Sequence, residues 1–350
     1  MRHPASRAIC AGATILLVLG AATAGAEETG WLAAGGVLAA ADANAAPTGG
    51  PAPAPAPAPA GSGNRVCEKW LARPDETFVP LHNFEGYSGG VITPMAYLID
   101  QDHEGLFGLP SVSYTFICTS DKPTDNAWSF AATMPFLNRF EIGYSLTRTD
   151  IGELYNVARS VQANVHRDHV LMHTFSLRGN IIRDEQYCPY NPAVTAGVHF
   201  KMNEGIHHID EGAFDTLERM GMSRRCGTDF TLVASKRIPD LLLDRPLFVS
   251  AGIRFTQAAH IGMMGFRSEH TCLFETNVFY KPLDWLTLGY EFRQKRQMIH
   301  NDQFSDELRI LREEENWHLF TLAFQVTKAC QVTALLGGLG SVGFQVKWDF

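Results

Sequence analysis

Ser341-Val-Gly-Phe-Gln-Val-Lys-Trp-Asp-Phe350 closes the chain and decides how the rest is read. Val342, Phe344, Val346, Trp348 and Phe350 fall on one face of an extended strand, and Ser341, Gly343, Gln345, Lys347 and Asp349 on the other. Such an apolar face is not meant for water, and Lys347 and Asp349 are costly in a dry core. Lipid outside and a wet lumen inside select this alternation. The five apolar positions, ending in an aromatic residue, also form the terminal signal that barrel-assembly machinery reads.

Working upstream, the same pattern recurs. Leu286, Leu288, Tyr290 and Phe292 alternate with Thr287, Gly289, Glu291 and Arg293. Phe140, Ile142, Tyr144 and Leu146 oppose Glu141, Gly143, Ser145 and Thr147. Leu247, Val249, Ile253 and Phe255 oppose Ser250, Arg254 and Thr256, while Val198 and Phe200 oppose His199 and Lys201. Charged residues on the polar faces point to a transmembrane barrel rather than a closed sandwich. The fold class is therefore all-β: an antiparallel, up-and-down transmembrane β-barrel.

The strand number should be even, and about thirteen segments are legible. Either a strand near Phe78 to Tyr87 joins, giving fourteen, or Val91 to Ile99 stays outside, giving twelve. Pro94 tips the balance to twelve, because proline is a poor central-strand residue. Short links near 136–138, 281–284 and 328–330 alternate with long ones near 149–169, 204–226, 258–268 and 297–314, as periplasmic turns and external loops should. The links near 183–192 and 237–245 read as too long for periplasmic turns, and 339–340 as too short for an external loop.

The N-terminus reads as a secretory signal: Arg2, His3 and Arg7, an apolar stretch from Ala11 to Leu19, then Ala24-Gly25-Ala26. That stretch is well short of the roughly 20 residues a membrane-crossing helix needs. The expected organisation is a signal peptide over 1–26 (cleavage as late as 46), an Ala/Pro-rich arm over 27–75, and a barrel over 76–350. Export through the periplasm to a bacterial outer membrane follows, with outer-membrane lipid and the assembly machinery as partners. The Pro-Ala repeats before Ala60 favour an extended spacer. With 29 basic against 37 acidic residues, and the basic ones scattered, nucleic acid is not an expected partner. Of the seven cysteines, six lie beyond Cys10, and an exported chain allows them to pair, though spacing does not choose the pairing.

Pro80-Leu-His-Asn-Phe-Glu-Gly-Tyr-Ser-Gly-Gly, Pro94-Met-Ala-Tyr-Leu and Pro110-Ser-Val-Ser-Tyr carry a resemblance. So do Arg139-Phe-Glu-Ile-Gly-Tyr, His199-Phe-Lys-Met-Asn-Glu-Gly and Tyr290-Glu-Phe-Arg-Gln-Lys. From Pro80 onward the chain resembles a family of uncharacterised outer-membrane proteins of proteobacteria and planctomycetes. The resemblance implies a barrel and brings no activity or catalytic residues. Relatives carry a longer loop where Gly337-Gly-Leu-Gly-Ser leads into the last strand.

Candidate site residues beyond the terminal assembly signal are of two kinds. Lys201, Arg254, Glu275, Glu291, Arg293, Gln345 and Lys347 are expected to face the lumen. Their mixed signs give no ring of one charge that would set an ion preference. His207, His208 and Asp210, with Glu204 and Glu211, are weak metal candidates, as are His166, Asp168, His169 and His173. No Gly-x-Ser-x-Gly elbow or local hydrolase motif is present, so a barrel hydrolase is the least favoured reading, and no cofactor is called for. The leading expectation is a narrow porin-like channel or transporter for small solutes. The alternative is a closed structural or binding barrel that uses its loops or the Pro-Ala arm.

Overall fold

The computed structural model describes residues 73–74, 78–100, 105–118, 126–150, 168–212, 216–219, 221–222, 224–295 and 316–350. The expected signal peptide, most of the arm, His166, Cys67 and most of the links near 149–169 and 297–314 lie outside the described residues. The chain divides into units 1–58 and 59–350, and everything below concerns the second.

Twelve antiparallel strands close into a barrel. In chain order they are β3 (Ser111–Cys118), β4 (Asn126–Phe136), β5 (Phe140–Asp150), β6 (His169–Ile182), β7 (Ala193–Glu204) and β8 (Cys226–Leu242). They continue with β9 (Arg245–Ala258), β10 (Phe266–Leu283), β11 (Leu286–Arg293), β12 (Trp317–Gln325), β13 (Cys330–Gly337) and β14 (Val342–Asp349). Each pairs with its sequence neighbour, and β14 closes the ring on β3, from Val342 opposite Cys118 to Asp349 opposite Ser111. Closure removes both sheet edges, so every strand's backbone groups find partners within the wall, as a lipid-facing structure requires.

The period-2 alternation sorts directly onto the two faces. Phe130, Ile142, Phe175, Phe200, Phe255, Phe320 and Phe344 stand exposed on the outside. An apolar belt of this extent marks a surface that contacts something other than water. The inward positions are almost all polar: Ser111, Ser113 and Thr115 on β3, Ser145 and Thr147 on β5, Thr174, Ser176 and Arg178 on β6.

One end of the barrel carries tight turns. Leu137–Asn138 and Leu243–Asp244 have positive φ at both residues, the backbone hand that matches twisted hairpin strands. The long link expected at 237–245 is corrected here: β8 runs to Leu242 and β9 starts at Arg245, leaving a two-residue turn. Pro239 and Pro246 disguise these strand ends in the sequence, since each removes a ladder donor. The opposite loop end carries helices α1 (Ile206–Gly212) and α2 (Thr216–Arg219) and the 3-10 turns η1 (His260–Gly262) and η2 (Gly338–Gly340). No helix among the described residues is long and apolar enough to cross a membrane.

Phe78 to Tyr87 adds no barrel strand. Instead β1 (Leu81–Asn83) and β2 (Tyr87–Gly89) form a separate two-stranded hairpin. Every residue from Pro80 to Ala96 is buried, although this segment precedes the barrel in sequence. It lies inside.

Candidate functional site

The lumen is filled by the chain's own residues 78–99, a plug held at five stations. Its hairpin is locally determined. Asn83 Oδ1 accepts the Glu85 N–H at 3.0 Å and its Nδ2 donates to the Gly90 carbonyl at 3.1 Å. Gly86 takes φ +83°, and a Cβ there would lie 2.7 Å from the Tyr144 backbone. A Cβ on Gly143 would in turn overlap the Gly86 carbonyl oxygen. Plug and wall touch backbone to backbone because both partners are glycine.

The turn delivers Glu85 to a cationic cluster. Its carboxylate pairs with Lys201 on β7, with Arg254 on β9 at 3.1 Å, and with Arg293 on β11 at 3.4 Å. Arg254 also reaches Glu275 at 2.7 Å, Asp229 at 3.1 Å and the Tyr87 hydroxyl at 2.7 Å. Tyr87 donates that hydroxyl to Glu85 at 2.7 Å. Lys201, Arg254, Glu85 and Asp229 have fully buried side chains. Removing such charges from water costs several kcal/mol each, and only mutual pairing offsets it.

Glu141 on β5 and Arg178 on β6 form the second station, paired at 2.6 Å. Glu141 accepts the Ser88 N–H at 3.1 Å and hydroxyl at 2.7 Å. Arg178 donates to the Ser88 carbonyl at 2.6 Å and to that of Met95. At the third, Glu291 accepts three successive N–H groups, from Val91 at 2.8 Å, Ile92 at 2.9 Å and Thr93 at 2.9 Å, and the Thr93 hydroxyl at 2.8 Å.

The fourth station is on β14. Gln345 donates to the His82 carbonyl at 2.6 Å and accepts its N–H at 3.3 Å, while Lys347 donates to the Pro80 carbonyl at 2.7 Å. The fifth is apolar: at the turn end, Phe78 stacks on Phe248 at 4.0 Å between ring centres, with Tyr97 and Phe279 beside it.

All seven residues expected to face the lumen thus meet the plug or one another inside the barrel. Glu141, Arg178, His199 and Asp229 do so as well and were not among the candidates, though each occupies an inward position of its strand. Alternation alone could have found them. Glu85 and Tyr87 had no such signal, because nothing in sequence says that the segment before the first strand folds into the barrel.

The weak metal candidates do not converge. Asp210 caps α2, accepting the N–H groups of Leu217 at 2.6 Å and Glu218 at 2.9 Å. His207 and His208 both turn to Glu211, at 2.8 and 3.5 Å. His169 pairs with Asp168 at 2.9 Å, and His173 lies 3.6 Å from Glu204. No group of three or more metal-type ligands occurs among the described residues. Cys188, Cys226, Cys272 and Cys330 are free thiols.

Above the plug, toward the loop end, the lumen widens into a cup of about 270 Å³. Phe84 and Ile92 of the plug line it, together with Ile117, Met172, Trp317 and Leu319 from the wall. His260 of η1 stands at its side, where burial and the nearby Lys295 push the imidazole down to about 3, so it is neutral there.

Residues 80–348 match DUF3034, a family of proteins of unknown function. The chain belongs to that family. In this DUF3034 member the matched segment begins where the plug begins, so the inserted hairpin is part of the family's shared stretch and not an appendage to it. No curated protein sequence matches it. Among solved structures, the chain is similar to the KdgM porin at 11% identity and a TM-score of 0.40, over 69% of this chain and 99% of that one. It is also similar to the outer membrane protein Omp33 of Acinetobacter baumannii, at 9% identity and a TM-score of 0.38, over 71% and 100%. The outer membrane phospholipase of Salmonella typhi is similar at 10% and 0.34, over 71% and 95%. None of these likenesses lends the DUF3034 barrel a cargo or an activity.

Proposed function

We propose that this protein is an outer-membrane transporter for small solutes, with its loop end outward, and that its own plug must move before anything passes. The observation that carries the reading is the character of the seal. Beside the apolar contacts typified by Phe78 on Phe248, plug and wall meet through buried ion pairs and backbone hydrogen bonds, with Glu85 set among Lys201, Arg254 and Arg293. A barrel meant to stay shut gains nothing from that choice, since packed apolar side chains in place of buried ion pairs are often neutral or more stable by roughly 1–4 kcal/mol. A polar wall, by contrast, is solvated readily when the plug withdraws.

Transport is favoured over hydrolysis for a related reason. Ser176 and His199 are 2.9 Å apart, but the second ring nitrogen of His199 faces Thr231 at 3.0 Å and not a carboxylate. Tyr87 covers the pair, its ring centre 4.6 Å from that of His199. A nucleophile needs an oriented base and access to substrate, and this pair has neither.

Planar-bilayer conductance tests the reading. The full-length barrel should be silent, and Glu85→Gln should show discrete openings while remaining heat-modifiable on gels. A folded Glu85→Gln barrel that stays silent after the plug is shown to be protease-accessible would sink it. The reading then left standing is a closed binding barrel, which the cup above the plug favours.

A further inference from the structure

We infer, on the reading that the plug moves, that the solute admitted in its place is a small peptide zwitterion, with the chemistry of a dipeptide. Such a molecule answers the groups on the wall that the withdrawn plug leaves unmatched.

Lys201, Arg254 and Arg293 form one ion-pair network with Glu85, Asp229 and Glu275, three cations against three carboxylates. The plug supplies Glu85, and β7 to β11 supply the other five, one from each strand. Withdrawal of the plug therefore leaves one positive charge in excess at this level. Glu291 is the converse case. Its hydrogen bonds all come from the plug, and it pairs with no cation among the described residues. In a flooded lumen it is a solvated glutamate, ionised at neutral pH. The other lumenal wall charges that the plug touches stay compensated, since Arg178 keeps Glu141 at 2.6 Å and Lys347 keeps Asp349 at 3.0 Å. The open wall has one vacant place for an anion and one for a cation.

The two places adjoin. Glu291 and Arg293 stand two residues apart on the inward face of β11, roughly 7 Å along the strand. Arg293 touches both stations, reaching Glu85 at 3.4 Å and the Ile92 carbonyl at 3.2 Å. A Cβ on Gly90 would overlap the Glu291 carboxylate, so this wall group closes on bare backbone. The plug offers N–H groups to Glu291, a peptide carbonyl to Arg293 and a carboxylate to the cationic cluster. A dipeptide carries an ammonium, a peptide carbonyl and a carboxylate in that same order. Its amine and acid flank two Cα atoms about 3.8 Å apart, a span of about 6 Å when extended. A single amino acid holds both groups on one Cα, about 2.5 Å apart, too short to answer both places where they stand. A simple anion leaves Glu291 unmatched.

The test is block of the ion current through the Glu85→Gln barrel in planar bilayers, with glycylglycine as the probe. The comparators are N-acetylglycine, which lacks the ammonium, and glycinamide, which lacks the carboxylate. A third, 5-aminopentanoate, is a zwitterion of the same chain length without the peptide carbonyl. Glycylglycine should block saturably, and each comparator should need a concentration about tenfold higher or more, the scale of a lost charge-assisted hydrogen bond. Adding Glu291→Gln should bring glycylglycine down to the level of N-acetylglycine. Arg293→Met should bring it to that of glycinamide, and Arg293→Lys should keep most of the block, each in a barrel that still shifts on boiling. Equal block by N-acetylglycine in a conducting barrel would overturn the zwitterion and leave the transporter standing. Equal block by 5-aminopentanoate would overturn the peptide assignment. A folded barrel silent in every variant would overturn the transporter, and this site with it.

Discussion

The Glu291 carboxylate accepts the Ile92 N–H at 2.9 Å across 199 residues of chain. It holds the N–H groups of Val91 and Thr93 in the same way, so one wall side chain grips three consecutive peptide units of the plug. The grip reads chiefly backbone, with the Thr93 hydroxyl beside it, and it depends on a carboxyl acceptor at this position. Seating of the plug is therefore sensitive to a single wall position.

Glu291→Gln keeps the size and replaces half of the acceptor with a donor that faces N–H groups. The plug should loosen by roughly 2–5 kcal/mol, the cost of stranding buried charge-assisted bonds. Hydrogen exchange at Val91, Ile92 and Thr93 should speed up by roughly 30- to 5,000-fold, the same loosening at 1.4 kcal/mol per decade, while the barrel strands stay protected. Exchange that rises in plug and strands together would mean that Glu291 supports the whole barrel and not the plug alone.

Gly86→Val should unseat the hairpin by another route, since the position has positive φ and Tyr144 leaves no room for a Cβ. Limited proteolysis should then cut within 78–99 of a barrel that still shifts on boiling. Protection equal to wild type would show that the hairpin can be repositioned without cost.

In an open Glu85→Gln background, Arg254→Ala removes a lumenal cation. The reversal potential in a salt gradient should move toward cation preference. An unmoved potential would place the conducting path away from Arg254.

Trp348 pairs across to Cys330 and Val112, and the Phe350 N–H donates to the Pro110 carbonyl at 3.0 Å, where the ring closes. Trp348→Ser with Phe350→Ser should abolish the heat-modifiable folded band in cells. A normal yield of folded barrel would show that the terminal strand is not read during assembly.

The free thiols give a chemical check on the wall. In the folded protein Cys188, Cys226 and Cys272 are exposed and Cys330 is buried. A maleimide should label the first three rapidly and Cys330 only after boiling. Labelling of Cys330 at the rate of the others would contradict the strand pairing at that corner.

The barrel was legible because a strand reports its surroundings locally. Phe140 to Thr147 announces two faces within eight residues, and Ser341 to Phe350 announces where the chain must close. A short turn was readable near Lys281 to Asp284, although β10 runs on to Leu283 and the turn itself is Asp284–Trp285. Turn length was misread at 237–245, where Pro239 and Pro246 imitate a loop inside strands that continue past them.

Sequence by itself therefore determined the wall: its strand type, its inward and outward faces, and an even strand number of twelve or fourteen, which Pro94 only leaned toward twelve and ring closure decided. Tertiary structure alone decided what the wall encloses. The hairpin 81–89 has too little apolar surface to fold independently, and its charged turn is stable only where Lys201, Arg254 and Arg293, from three different strands, converge on Glu85. Those partners lie more than a hundred residues downstream, and short-range periodicity carries no information over that distance. The cup has the same origin, since Phe84 and Ile92 meet Trp317 and Met172 only once the ring is closed around the plug.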